Sequence, residues 1–247
     1  MKIFICLLAT LLLMYYAYSK KAINLLGTLI AGVITYGATY YGGYPLYLMI
    51  FLVFFVDLIF SKITKTSGEG TRNEIQMLCN LLLPYIAVLL YYYSYKDMYL
   101  VVAAISLAEC LADSLASTIG EPAKHHFNLR TFKKDQTNIS GNISLLGILG
   151  SLFGSLIIAI VYYAFINHNC YAFFLIGFLG TLGAFIDSVL GAYLQVAYVC
   201  PKCKKEVEEK IHCKRKTKKV KGLTIIDNNM VNFLSQLIVF ILGILFL

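Results

Sequence analysis

A polypeptide lying in hydrocarbon must close its backbone hydrogen bonds internally, and most of this chain is apolar enough to lie there. Eight apolar stretches can be drawn, about 3–19, 22–41, 45–61, 77–95, 98–117, 143–166, 171–195 and 230–247. Most are long enough to cross a hydrocarbon core of roughly 30 Å as helices. The sequence therefore predicts an all-α fold, a polytopic transmembrane bundle of about eight helices. Lys2 followed by an apolar run and then Ala17-Tyr18-Ser19 also fits a cleaved signal peptide, which would leave seven. Because the next apolar stretch begins almost at once, the first segment is read as a span.

The polar residues are distributed unevenly between the two ends of these spans. The loop at 20–21 carries two Lys or Arg, the loop at 62–76 three, the loop at 118–142 four and the loop at 196–229 ten, which is nineteen of the 21 in the chain. The positive-inside rule then places these four loops in the cytoplasm and both termini on the outer side of the cell membrane. The net charge of +8 follows from this topology and from anionic lipid beside the loops; it does not point to nucleic acid. Tyr, with 19 residues, replaces the absent Trp as the interfacial aromatic. The outer loops only turn the chain, so function is expected in the cytoplasmic loops and adjoining helix ends.

Ionised side chains are costly in the apolar layer, so those present are expected to be paired, metal-bound or facing water. Glu109, Asp113 and Ser117 fall at i, i+4 and i+8 on one helix face. Asp187 and Gln195 lie two turns apart on the seventh stretch, Asn73, Gln76 and Asn80 share a face of the fourth, and Asn229, Asn232 and Gln236 share a face of the eighth. All lie near the cytoplasmic boundary, which predicts one polar pocket. Three acids together would repel unless a cation or protons compensate, and hard oxygen ligands suit Mg²⁺ bound with substrate phosphates. Asn80, Ser117 or Gln195 taken singly fit interhelical hydrogen bonding as well.

Asn138, Ser140, Gly141, Asn142 and Ser144 open the sixth stretch with small and capping residues. A helix N-terminus of that kind can receive an anion, although capping needs the same residue types. Arg72, Arg130, Lys133 and Lys134 nearby add weight to a phosphate reading; Arg72 is the sharpest of them, since a guanidinium grips phosphate bidentately. The adjacent His125 and His126 are read as solvated. Asp57, Asp113 and Asp187, each followed by an Asn-bearing stretch that re-enters the membrane, suggest three tandem hairpins around one site. In the last polar loop, Cys200-Pro-Lys-Cys203 with His212-Cys213 gives three thiols and an imidazole within fourteen residues. That spacing points to structural Zn²⁺, with the fourth ligand open because His212 and Cys213 are adjacent. The chain divides accordingly into a transmembrane domain, 1–199 and 222–247, and a basic Cys/His insert, 200–221.

The ordered set Gly70-Thr71-Arg72-Asn73 with Gln76 and Asn80, Ala112-Asp113-Ser114-Leu115-Ala116-Ser117 with Gly120, Ser140-Gly141-Asn142-Ile143-Ser144, Asp187-Ser188-Val189-Leu190-Gly191-Ala192 with Gln195, the Cys/His cluster and Asn228-Asn229-Met230-Val231-Asn232 resembles an integral-membrane family. That family contains plant phytyl-phosphate kinase and many prokaryotic members. The resemblance covers about residues 45–247. Two positions depart from it: Thr118 where Glu is common, and Asn142 where Gly is common. It implies a kinase that transfers a phosphoryl group from a nucleoside triphosphate such as CTP to an isoprenoid monophosphate. On that reading Asp113, Asp187 and Glu109 hold Mg²⁺, Arg72 and the loop before the sixth stretch grip phosphates, and Asn73, Asn228, Asn229 and Asn232 orient them. The rivals are a CTP-dependent polyprenol kinase or cytidylyltransferase, and a transporter or scramblase of anionic or lipid-linked solutes. Acids close to one face and bare outer loops speak against the transporter.

Overall fold

A computed structural model of the chain describes residues 2–64, 71–135 and 140–247. Among these, eight helices follow the apolar stretches: α1 (Lys2–Ser19), α2 (Leu25–Gly42), α3 (Tyr44–Thr64), α4 (Glu74–Ser94), α5 (Met98–Gly120), α6 (Leu145–Phe165), α7 (Cys170–Tyr193) and α8 (Asn228–Leu245). Six of them, α3 to α8, are long and apolar enough to cross a membrane. Short polar side chains start five of the eight: Asn24, Asn73, Ser144, Asn169 and Asp227 each accept an amide N–H from the first turn of the helix that follows.

The bundle is built around α5. Its most apolar window is 78% buried, against 28–50% for the other five spans, and α3, α4, α6, α7 and α8 all pack on it. Its small side chains permit this, as do glycines on its neighbours. A Cβ added at Gly150 or Gly154 of α6 would meet the carbonyl oxygens of Leu115 and Leu111 at 2.6 and 2.8 Å, so α6 lies directly on the α5 backbone. Close approach at small residues is how helices associate without a hydrophobic driving force between them. Large apolar residues such as Phe174 and Phe178 are left on the outer surface, where a membrane-embedded bundle meets lipid.

The described parts of the four basic loops gather at one end. Ile23 bridges Arg72, Asn24 donates to Glu74 at 2.5 Å, and Thr118 at the end of α5 donates to Asp57 on α3 at 3.0 Å. At the opposite end the Tyr171 hydroxyl donates to the Phe246 carbonyl at 2.8 Å. The basic end also carries short antiparallel strands that the apolar pattern does not signal. Between α5 and α6 lie β1 (His126–Asn128), β2 (Lys133–Asp135) and β3 (Asn142–Ile143), in spatial order β2-β1-β3. Between α7 and α8 lie β4 (Ala197–Val199), β5 (Glu206–Val207), β6 (Ile211–His212), β7 (Arg215–Lys216) and β8 (Lys218–Lys221), arranged as a β5-β4-β8 sheet and a β6-β7 hairpin. The sheet of the Cys/His insert thus begins at Ala197, so its first strand comes from the segment leaving α7.

Candidate functional site: an acid-lined cavity at the basic end

One cavity of about 670 Å³ opens between α5, α6, α7 and the Cys/His insert. Asp113 and Ser117 line it from α5, Ser140 to Ser144 from the segment entering α6, Asp187 and Ser188 from α7, and Asn228 from the start of α8. Asp113 and Asp187 are half-buried and both line the cavity.

Behind this wall lies a polar core contributed by four helices, α4, α5, α7 and α8. Glu109 is only 2% exposed. Ser235 of α8 donates to it at 2.6 Å and lies 3.5 Å from Asp187. Gln236 spans α4, α5 and α8, donating towards the Asn80 and Ser106 carbonyls and Glu109. With the Asn232 side-chain amide assigned so that its nitrogen faces the neighbouring acceptors, it donates to Asp187 at 3.1 Å and to the Asn228 carbonyl at 2.9 Å. Glu109 and Asp187 therefore share α8 side chains, and Glu109 stands one layer behind the cavity surface.

The segment before α6 is held against α7. Gly141 has φ +92°, and a Cβ there would overlap Ala192; only glycine fits both requirements. Asn142 accepts from Asn128 at 2.7 Å, and Ser144 caps α6 by accepting from the Gly147 amide at 3.0 Å. The insert closes the basic-loop side with Glu206, Val207 and Glu208. Glu208 accepts from Gln195 and from Ser140, both at 2.7 Å. On the opposite flank Ile148, Phe178 and Phe185 line the cavity and are also 45–63% exposed on the bundle surface. The cavity thus runs from polar loops to the lipid-facing surface.

Other residues singled out from the sequence lie elsewhere. Arg72 does not line the cavity; it pairs with Asp57 at 2.5 Å, and Thr118 completes the coordination of that carboxylate. Asp57 does not line the cavity that Asp113 and Asp187 share. Asn73 and Gln76 form a reciprocal capping box at the start of α4. Lys133 and Lys134 sit exposed on β2, and neither they, Asn80 nor Asn229 line the cavity. Asn138 lies outside the described residues.

Sequence reasoning missed Glu206 and Glu208, which sit in a lysine-rich loop and carry no pattern of their own. It also placed His126 in solvent, whereas His126 is 3% exposed and lines the cavity. Pairing of β1 between β2 and β3 turns its ring inward. The lining therefore holds four carboxylates, Asp113, Asp187, Glu206 and Glu208, and His126 is its one basic side chain among the described residues. Lys221 compensates Glu206 from outside the lining, and the other carboxylates repel an anion unless a cation or protons compensate them.

The Cys/His cluster is compact. One ligand atom from each of Cys200, Cys203, His212 and Cys213 lies within 4.8 Å of the others. The His212 Nδ1 is 3.5 Å from the Cys203 sulfur and 3.3 Å from the Cys213 sulfur. The Cys203 backbone N–H and then the His212 ring hold the Cys200 thiol down to about 6.

An eight-helix membrane bundle with this ordered polar set matches the family described as integral membrane protein DUF92 over residues 8–240. The chain belongs to that family. It is 27% identical over 267 residues to Protein PGR of Arabidopsis thaliana, covering 92% of this chain and 90% of the plant protein. The family assignment and this plant relative agree with the membrane family that the sequence motifs indicated. No solved structure matches the chain.

Proposed function

We propose that the protein is a prenyl-phosphate kinase. It would transfer the terminal phosphoryl group of a nucleoside triphosphate, CTP-like in the family resemblance, to an isoprenoid monophosphate at the cytoplasmic face of the membrane. The observation that carries this reading is a single cavity lined by Asp113 of α5 and Asp187 of α7 that continues to lipid-exposed Phe178 and Phe185. It suits a guest with an anionic head and a long apolar tail. Hard carboxylate oxygens from two helices fit Mg²⁺, which when bound would neutralise charge on the transferring phosphates.

The chain's own residues then have separate tasks. Asp113 and Asp187 hold the cation. Glu109, with Ser235 and Asn232, fixes Asp187. Gly141, Asn142 and Asn228 orient phosphate oxygens by hydrogen bonding while Glu208 holds the Ser140 hydroxyl, and His126 adds a ring N–H. In the transfer an oxygen of the acceptor monophosphate attacks the γ-phosphorus, the bond from that phosphorus to the β-phosphate oxygen breaks, and the nucleoside diphosphate leaves. The acceptor oxygen is already anionic near neutral pH, so no strong general base is needed.

One residue favours a second reading, transfer to a free polyprenol. An alcohol acceptor must lose a proton, and the buried His126 could take it. The test is purified protein in lipid nanodiscs with Mg²⁺, γ-labelled nucleotides, and geranylgeranyl monophosphate or geranylgeraniol as acceptor. The proposal expects label in geranylgeranyl diphosphate. Label only from the alcohol would shift the reading to a polyprenol kinase, and no transfer to either acceptor from any nucleotide would remove the kinase reading.

A further inference from the structure

The Cys/His insert does more than decorate a loop, because its middle forms a wall of the cavity. Strand β5 has only two residues, and a two-residue strand cannot hold a fixed position on its own pairing. Yet the residues around it are placed with care. Glu206 lines the cavity and pairs with Lys221 at 3.3 Å. Lys221, whose side chain is 7% exposed, also donates to the Ser140 carbonyl at 2.9 Å. Glu208 receives Ser140 and Gln195, joining the segment that enters α6 to the end of α7.

The Cys/His cluster brackets this segment. Cys200 and Cys203 lie just before it and His212 and Cys213 just after it, with their ligand atoms already within 4.8 Å. Three sulfurs and an imidazole nitrogen suit tetrahedral Zn²⁺, which takes sulfur at about 2.3 Å and needs only a small contraction of such a cluster. Lys204, Cys213 and Lys214 hold positive φ values of 58°, 51° and 60°, so the two turns that present the ligands are sharp and, in non-glycine residues, costly. A metal would offset that cost and close the loop between residues 203 and 212.

We infer that one Zn²⁺ held by Cys200, Cys203, His212 and Cys213 fixes strand β5, and that Glu208 thereby acts as a positioning residue, clamping Ser140 and Gln195 so that the cavity keeps its shape for a phosphorylated ligand. The ion does no chemistry here. The part that concerns the ligand rests on the kinase reading, whereas the zinc and the ordering of β5 do not.

The experiment uses the full-length protein in nanodiscs and four variants, Cys203→Ser, His212→Ala, Glu208→Ala and Glu208→Gln. It reads zinc by elemental analysis, tryptic cleavage within 202–221 by mass spectrometry, and KM and kcat for geranylgeranyl monophosphate. The wild type is expected to carry about one zinc per chain. Cys203→Ser and His212→Ala should lose it, be cleaved faster at Lys204 to Lys210, and show KM raised about tenfold. Glu208→Ala should keep the zinc and its tryptic pattern yet raise KM with little change in kcat. Glu208→Gln, whose amide oxygen still accepts, should recover most of the loss. A zinc-free wild type, zinc-free variants with unchanged cleavage, or Glu208→Ala with an unchanged KM would each overturn the inference. Zinc and protection without any phosphoryl transfer would leave the metal-ordered insert standing and count against the kinase instead.

Discussion

At the scale of single residues, the same side-chain types serve two purposes, and only packing decides between them. Asn73 is expected from the sequence to orient phosphate with Gln76 on the same polar face, and their spacing is also that of a capping box; the structure uses them as the box. Arg72 was the sharpest candidate for a phosphate grip, but Asp57, four helical turns from the start of α3, reaches it first. Neither partner was legible from the other, because fifteen residues and a polar loop separate them. His126 was misplaced for the opposite reason, since nothing in His125-His126 says which ring a strand will turn inward. One consequence separates structural from ligand-binding cations. Arg72→Ala should lower stability by about 2 kcal/mol, the worth of a charged hydrogen bond whose partner is left without it, measured by thermal unfolding in detergent. Its KM for the phosphorylated acceptor should stay within about twofold in the surviving folded fraction; a KM raised tenfold with unchanged stability would return Arg72 to the binding site.

At the scale of elements, the long apolar helices were legible and the short polar strands were not. Eight stretches drawn from hydropathy became eight helices, because hydrocarbon leaves the backbone no alternative. Strands such as Lys218–Lys221 and Glu206–Val207 offer too few residues for an alternation signal, and both pair with β4. Acids in such strands could not be assigned to a cavity from sequence. The glycines of α6 were visible but their role was not, since close approach depends on which helix lies opposite. With the Leu111 carbonyl where a Cβ at Gly154 would sit, Gly154→Leu should force α6 away from α5. The expected result is loss of several kcal/mol, on the scale of severe overpacking, read as a lower unfolding temperature together with loss of activity. Gly177→Leu, on α7 where a Cβ would meet only the flexible end of Leu156 at 3.2 Å, should be milder. Equal tolerance of both would contradict the packing described for α5 and α6.

At the scale of the whole molecule, the bundle brings acids from separate spans to one end and leaves the other end nearly bare of polar chemistry. The central, most buried helix, α5, carries Glu109 and Asp113 on one face; α7 presents Asp187 to the same region, and α8 supplies the hydrogen bonds between them. A pocket formed from Asp113 and Asp187 was readable in the sequence through helical spacing and depth. Its enclosure by the Cys/His insert, and the near-exclusion of basic side chains from its lining, were not. That composition makes a bound divalent cation the central claim, because carboxylates facing one cavity repel a phosphate unless a cation compensates them, as Lys221 does for Glu206. The most direct measurement is Mn²⁺ binding, followed by electron paramagnetic resonance, to the full-length protein in nanodiscs with geranylgeranyl monophosphate present, for the wild type, Asp113→Asn, Asp187→Asn and the double variant. If the two carboxylates hold one ion together, each single change should weaken binding at least about tenfold, roughly 1.4 kcal/mol, and the double variant should lose clearly less than the product of the two, the mark of coupled ligands. Wild-type Mn²⁺ affinity in either single variant, or losses that multiply as for independent sites, would contradict it.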